Sequence, residues 1–215
     1  MTRIIDHNEP AYRERWRSYG KNRFNGAFYY SIEISKLIIP NVKTDRNWVL
    51  VNQKGRAFDH SVVFIHNNIY TDSYNWLEKY DDLVLVCGIE STCEKVAHLG
   101  RAIYLPLSVD VEYIEKFSSG KSKDVAFVGR EEKRQCYSFA ESVDILSGFP
   151  RPQLLSEMAK YKKVYAVGRC AIEARVLGCD ILPYDPRFPD PSIWKVVDSL
   201  EAAAILQEKL EEIDG

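Results

Sequence analysis

The sequence predicts an α/β protein with two small parallel sheets, and three observations lead to this fold class. Short apolar runs alternate with polar segments of helical spacing, which is the pattern of βαβ units. The runs are nearly continuous in apolar character, as expected for strands that helices cover on both faces. A polar stretch at 117–124, which contains Gly120, separates an earlier from a later set of runs. The predicted architecture is therefore two Rossmann-like domains.

Eight apolar runs are the predicted strands. Those of the first half are WVLVN at 48–52, SVVFIH at 61–66, DLVLVCG at 82–88 and AIYLPLS at 102–108. Those of the second half are DVAFVGR at 124–130, VDIL at 143–146, KVYAVGR at 163–169 and DILPYD at 180–185. With the boundary placed in the polar stretch between the two sets, the predicted domains span 1–118 and 119–215.

Helical spacing predicts segments between and after these strands. The segment 28–39 carries one broad apolar stripe, and Pro40 is expected to end it. Ser91 or Thr92 is expected to cap a helix that closes at Gly100. A C-terminal helix is predicted to start at Ser199, and its apolar residues recur at three- and four-residue steps, which is typical of a helix packed on a sheet.

The composition is that of an ordinary globular protein. Hydrophobic residues make up 46% and charged residues 28%, and the formal net charge of -2 does not favour nucleic acid as a partner. The five cysteines form no C-x-x-C pair, so neither zinc nor a disulfide framework is supported. The N-terminus lacks a signal-peptide core, and no apolar run approaches the roughly 20 residues of a membrane span. We expect a cytoplasmic protein without a membrane span.

Two strands of the second half end in the same three residues, Val-Gly-Arg, at 128–130 and 167–169. Ligands of open parallel sheets bind beyond the carboxyl ends of the strands, where loops lead into helix N-termini. Gly129 and Gly168 allow backbone N–H groups to approach a phosphate closely. Arg130 and Arg169 each supply a planar fork of donors. These loops predict a diphosphate site, and the alternative is a pair of surface arginines that merely end strands.

The segment YAVGRCAIEARVLGCDILPYD at 165–185 resembles a signature of the two-domain GT-B glycosyltransferases, in the group 1 or family 4 type. In that signature a glycine-containing loop leads into a helix reading A-x-E-A-x-x-x-G, and an apolar strand follows. AIYLPLSVDVEYIEKF at 102–117 resembles the interdomain segment of the family through Pro106, Asp110 and Phe117. DVAFVGREEKR at 124–134 is similar to the first strand of its nucleotide-binding half. Together the resemblance covers about residues 82–185.

This resemblance implies two Rossmann-like domains facing one another across a cleft, with the nucleotide-sugar on the C-terminal side. It implies a hexosyltransferase type of activity, which moves a sugar from a nucleotide-sugar to an unknown acceptor without a metal or a further cofactor. Arg130 and Lys133 would form the basic pair near the donor diphosphate. Glu173 would accept hydrogen bonds from the ribose, and the backbone around Gly129 and at Gly168, Arg169 and Cys170 would face the phosphates.

The first half offers weaker candidates. His66 follows the strand SVVFI, where it is a candidate general base or acceptor-orienting residue, because its ordinary pKa lies near neutrality. The alternative is a hydrogen-bonded structural histidine. The phrase NGAFYYS at 25–31 is a candidate aromatic floor for a sugar, and amphipathic helix packing is its alternative interpretation.

A second function class stays open beside the transferase. Many retaining members of the family carry two glutamates separated by seven residues, and Tyr165 stands where the first would be. The chain is also short for the family. Both departures favour a non-catalytic protein that keeps the fold to bind a nucleotide or nucleotide-sugar. A glycosyltransferase that modifies nucleic acid ranks below both, because the net charge indicates no basic face. The oligomeric state is not predicted.

Overall fold

The structure, a computed structural model, describes residues 2–8, 10, 26–51, 56–66, 71–129 and 143–215. The chain forms two compact units, one of residues 1–107 with 199–215 and the other of residues 108–198. Each unit contains one sheet of parallel strands, so the prediction of an α/β protein with two parallel sheets is confirmed. Within the described ranges, no helix combines the length and the apolar character that crossing a bilayer requires.

The sheet of the first unit has five strands in the order in which they follow one another along the chain. They are β1 (Ile4–Ile5), β2 (Asn47–Val49), β3 (Ser61–Ile65), β4 (Leu83–Cys87) and β5 (Arg101–Tyr104). Both β3 and β4 are buried along their whole length, which explains their continuous apolar sequences. The two-residue strand β1 was not predicted, because two isoleucines are too short a run to indicate a strand.

Helical segments connect these strands: α1 (Gly26–Glu33), a π-helical turn (Ile34–Ile38), a 3₁₀ turn (Ile39–Asn41), a 3₁₀ helix (Thr71–Lys79), α2 (Glu90–Val96) and a 3₁₀ turn (Ala97–Leu99). Pro40 lies inside its 3₁₀ turn rather than after a helix, because a proline in the first turn loses no hydrogen bond. The helix α2 begins directly after Ile89, which makes no side-chain cap. The predicted cap at Ser91 or Thr92 is therefore wrong.

Within its described residues, 108–129 and 143–198, the second unit has a four-stranded sheet and three α-helices. Its strands are β6 (Lys123–Val128), β7 (Asp144–Leu146), β8 (Tyr161–Tyr165) and β9 (Asp180–Leu182), in the spatial order β7-β6-β8-β9. Its helices are α3 (Val111–Glu115), α4 (Arg151–Met158) and α5 (Arg169–Val176). The helix α5 is followed by Gly178 with φ of 75°, a left-handed residue that ends the helix as predicted.

The observed division of the chain lies at 107/108, whereas composition placed it at 118/119. The polar stretch 117–124 belongs to the second unit because its polar groups cap that unit's helices. Lys121 Nζ donates hydrogen bonds to the carbonyl oxygens of Ala159 at 3.0 Å and Leu177 at 2.7 Å. The next two main-chain N–H groups both donate to the carbonyl oxygen of Lys160 at 2.9 Å. A polar composition thus marked a capping segment rather than a linker.

The last helix, α6 (Ser199–Asp214), starts where predicted but belongs to the first unit rather than to a domain of 119–215. It buries Ala202, Leu206 and Leu210, whereas Leu200 is exposed. Near its end, the guanidinium of Arg46 donates to both carboxylate oxygens of Asp214 at 2.6–3.1 Å. The chain therefore passes into the second unit and returns, which local sequence patterns do not reveal.

Candidate functional site

The strand order of the second sheet reverses between β6 and β8. These two strands pair directly, with Phe127 opposite Tyr165, yet β6 leads to β7 on one side and β8 leads to β9 on the other. Loops that leave neighbouring strands in opposite directions open a crevice at the carboxyl edge of a parallel sheet, and ligands of such sheets bind there. Both predicted glycine loops lie at this edge, one after each strand.

The two glycines meet different requirements of the backbone. Gly129 follows β6 directly, and a Cβ atom added to it would lie 3.1 Å from the Phe127 ring. Gly168 precedes α5 and has φ of 63°, a left-handed conformation that side chains rarely adopt. Its carbonyl oxygen accepts the first hydrogen bonds of the helix, from Ala171 at 3.0 Å and Ile172 at 3.2 Å. The space beside the Gly168 Cα is open, so the backbone at the start of α5 is uncovered on this side.

Two arginines share one buried glutamate beside this loop. The carboxylate oxygen Oε1 of Glu173 lies 2.8 Å from Arg151 Nη1 and 3.6 Å from Arg169 Nη2. The side chains of Arg151, Arg169 and Glu173 are 10%, 6% and 4% exposed. The three groups form one buried ion-pair cluster between α4 and α5.

Each arginine is the first residue of its helix, which is the unfavourable end for a cation. A helix N-terminus carries partial positive charge and favours anions by about 0.3–1 kcal/mol. Neither α4 nor α5 has an acidic residue in its first turn. Glu173 lies one turn further along α5 and offsets part of this charge. Two helix N-termini, each with a guanidinium, make a setting in which an anionic ligand is stabilised by fixed dipoles and charge-assisted hydrogen bonds.

The structure describes five of the seven predicted binding residues and places all five at one edge of the second sheet. Gly129, Gly168, Arg169, Cys170 and Glu173 all belong to the loops and the helix at the carboxyl edge of the second sheet. The predicted basic pair, Arg130 and Lys133, lies outside the described residues. Glu173, expected to bind a ribose, has its carboxylate directed at Arg151 and Arg169, and the ribose contact stays a prediction.

His66 belongs to the first unit and follows β3. Its Nε2 donates a hydrogen bond to the carbonyl oxygen of Leu50 at 2.6 Å. Its backbone N–H donates to the Tyr74 hydroxyl at 2.9 Å, and its ring meets the Tyr30 ring edge-on. These contacts hold the imidazole in one orientation. Tyr30 is buried here, as the helix-packing interpretation of 25–31 predicted.

Arg151 is the site residue that the sequence did not reveal. It stands between Pro150 and Pro152, and prolines are common in the first turn of a helix, so the start of α4 was detectable from the sequence. The further signal was an arginine at that start with no acidic residue in the first turn. Its link to Glu173 is a tertiary contact across 22 positions of the chain, which no local pattern encodes.

Among the residues that the structure describes, no three His, Cys, Asp or Glu side chains are grouped so that they could hold a metal ion. Comparison of the chain with protein-family models, curated proteins and solved structures finds no match.

Proposed function

We propose that the second unit binds the diphosphate of a nucleotide-sugar at the carboxyl edge between β6 and β8, and that the chain transfers the sugar to an acceptor hydroxyl without a metal. One observation carries the proposal: the two glycine loops follow neighbouring strands at the point where the strand order reverses. The arginine at the start of α5 and the arginine at the start of α4 supply donors of the right charge beside it.

The chemistry follows from where charge develops. As the acceptor oxygen bonds to the anomeric carbon, the bond from that carbon to the diphosphate breaks, and negative charge grows on the departing phosphate oxygen. Arg169 and the N-terminus of α5 stabilise that charge, and Arg151 adds a second guanidinium. The acceptor hydroxyl loses its proton to a general base, and His66 stays the residue that the sequence predicts for this role.

A second function, binding without transfer, is favoured by a specific observation. Glu173 is buried against two arginines, and Tyr165 occupies the position at which many retaining family members have a glutamate. In this version the same edge binds a nucleotide or nucleotide-sugar, and Glu173 orients Arg151 and Arg169 rather than touching the ribose. The two functions share the anion site and differ in turnover.

The test combines thermal stability with nucleotide release. The full chain is incubated with UDP, GDP and CDP and with their sugar conjugates, and both the melting temperature and the free nucleoside diphosphate are measured. A ligand at 100 times its Kd is expected to stabilise the native state by about 2.7 kcal/mol. Release that is lost in His66→Asn supports transfer, whereas stabilisation without release supports binding alone. Neither effect with any nucleotide would contradict both functions.

Arg169→Lys and Arg175→Lys form a matched pair for this test. Both arginines lie on α5, but Arg169 begins the helix and Arg175 lies exposed in its last turn. Lysine keeps the charge and loses the bidentate fork, so Arg169→Lys is expected to weaken nucleotide binding about tenfold. Arg175→Lys is expected to leave binding unchanged. Equal effects of the two substitutions would place the nucleotide elsewhere.

A further inference from the structure

A lysine and a cysteine of the second unit contact one another at the C-terminal ends of α4 and α5. Lys121 Nζ donates a hydrogen bond to Cys179 Sγ at 3.2 Å, across 58 positions of the chain. Cys179 is buried, and its Sγ donates in turn to the carbonyl oxygen of Met158, the last residue of α4, at 3.5 Å. The fold thus places an amine directly beside a thiol.

Hydrogen bonds hold both atoms of this contact in place. Besides Sγ, Lys121 Nζ donates to the carbonyl oxygens of Ala159 at 3.0 Å and Leu177 at 2.7 Å, so each of its three N–H groups has an acceptor. The Cys179 main-chain N–H donates to the carbonyl oxygen of Ala174 at 2.8 Å, which fixes the cysteine to the last turn of α5. The short distance between nitrogen and sulfur is therefore set by the packing of the unit.

We propose that Lys121 and Cys179 form a covalent nitrogen–sulfur bond when the chain meets hydrogen peroxide. The Cys179 thiolate attacks one peroxide oxygen, the O–O bond breaks, and the departing hydroxide takes a proton to become water, which leaves a sulfenic acid. The neutral Lys121 Nζ then attacks Sγ, the S–O bond breaks, and this second hydroxide leaves as water with a proton from the amine. The protein loses two electrons and two protons, and the peroxide is reduced to two molecules of water.

The surroundings of the pair favour capture of the sulfenic acid by the nitrogen. Burial raises the pKa of the Cys179 thiol, and the hydrogen bond from Lys121 acts in the opposite direction, so the first step is expected to be slow. The N–H that Lys121 directs at Sγ is the one whose removal leaves a lone pair facing the sulfur. Further oxidation needs a second peroxide molecule at a buried atom, whereas the nitrogen is already in contact with it.

Tryptic peptides provide a direct readout, because trypsin does not cleave after a lysine whose nitrogen is blocked. After treatment of the folded full chain with excess hydrogen peroxide, digestion without a reductant is expected to give peptide 117–123 joined to peptide 176–187. The joined pair is expected to be lighter than the sum of its parts by about 2 Da and to separate on addition of a thiol. Lys121→Arg keeps the charge and is expected to abolish the joined pair. Lys123→Arg, at a half-exposed lysine that pairs with Asp144, is the control and is expected to retain it.

Three outcomes would overturn the proposal. Cys179 could be recovered as an unmodified thiol, it could be recovered as a sulfinic or sulfonic acid with normal cleavage after Lys121, or the joined pair could form equally well in a chain unfolded in urea before treatment. The first two show that the nitrogen does not capture the sulfur, and the third shows that the fold does not direct the reaction. The peptide map of the wild-type chain decides among them, so the result does not depend on whether Lys121→Arg folds.

Discussion

The two sheets are alike in strand direction and differ in strand order. In the first unit each described strand lies beside its successor, so the connections all step in one direction. In the second unit β6 lies between β7 and β8, so the connections depart on opposite sides. Only the second arrangement contains the reversal that opens a crevice at the carboxyl edge. Two sheets of parallel strands therefore need not both contain a ligand-binding crevice.

The charged clusters of the two units also differ, because they lie at opposite edges of their sheets. In the first unit the cluster lies at the amino edge of the sheet: Asp45 and Arg46 come before β2, His60 before β3 and Asp82 before β4. Arg46 joins this cluster to Asp214 of α6. In the second unit the cluster lies at the carboxyl edge, and all three of its side chains are buried. The first cluster binds the end of α6 to the sheet, whereas the second cluster lies at the N-termini of α4 and α5. The following substitutions test this contrast.

The largest effect is expected from Glu173→Ala in the second unit. It leaves two buried arginines side by side, and breaking a buried ion pair from one side costs about 3–5 kcal/mol of unfolding free energy. Urea denaturation measures the loss, and inorganic phosphate is expected to restore more stability to the variant than to the wild type. Glu157→Ala, which removes a half-buried pair with Lys160 three residues further along the chain, is the control and is expected to have a much smaller effect. If Glu173→Ala left the unfolding free energy unchanged, the buried ion pairs of Glu173 with the two arginines would not stabilise the fold.

Arg46→Ala tests the corresponding role in the first unit. The guanidinium is 3% exposed and binds Asp214, while also donating to Asp82. We expect the unfolding free energy to fall by about 2 kcal/mol, because the charge-assisted hydrogen bonds to two carboxylates are lost and water replaces them only in part. Hydrogen exchange is expected to increase along the last turns of α6 and to leave α5 unchanged. Equal increases in both helices would contradict the assignment of the two clusters to separate units.

Gly168→Ala examines the start of α5 without touching a charge. At Gly168 the left-handed φ makes alanine unfavourable by about 1 kcal/mol, although the space for a Cβ is open. Gly120→Ala is matched to it, because the space is also open there but φ is not left-handed. We expect lower thermal stability and weaker nucleotide binding for the first variant and neither change for the second. Parallel behaviour of the two variants would remove the argument for a constrained loop.

The smallest effect is expected from pH. Hydrogen bonds to Asp82 at 2.6 Å and Asp45 at 2.9 Å raise the pKa of the His60 imidazole above its ordinary value near 6.5. A raised pKa stabilises the fold below about pH 6.5, and this contribution is lost as pH rises through the folded pKa. The melting temperature is expected to decline by a few degrees at most above pH 6.5, and less so in His60→Asn. Identical profiles for both chains would contradict this.

Much of the fold was predictable because its information is local. Continuous apolar runs identified eight of the nine strands in the described part of the chain, and the glycine after α5 identified where that helix ends. The path of α6 was not predictable, because its place depends on Arg46 and Asp214, which lie 168 positions apart. The polar stretch at 117–124 misled for the same reason, since the carbonyl oxygens that Lys121 caps are distant in sequence.

The candidate site was predictable in part. Repetition of Val-Gly-Arg drew attention to the two loops, and the parallel sheet placed both at one edge. The partners of Glu173 were not predictable, since helix spacing relates Glu173 to Arg169 but cannot place Arg151 beside it. The Glu173 carboxylate is buried because α4 and α5 pack together, and the sequence of neither helix alone predicts that packing.

The ammonium group of Lys121 links the C-terminal ends of α4 and α5. It binds the C-cap residues of both α4 and α5, Ala159 and Leu177, while the opposite ends of those helices carry Arg151 and Arg169. An eight-residue helix is about 12 Å long and moves as one rigid element, so a displacement of its C-terminal end also moves its N-terminal end. Acetylation of Lys121 would remove the positive charge that binds the C-terminal ends of α4 and α5 to each other. We therefore expect acetylation to change the spacing between the two guanidinium groups, although the hydrogen bonds of Lys121 lie at the opposite ends of the helices.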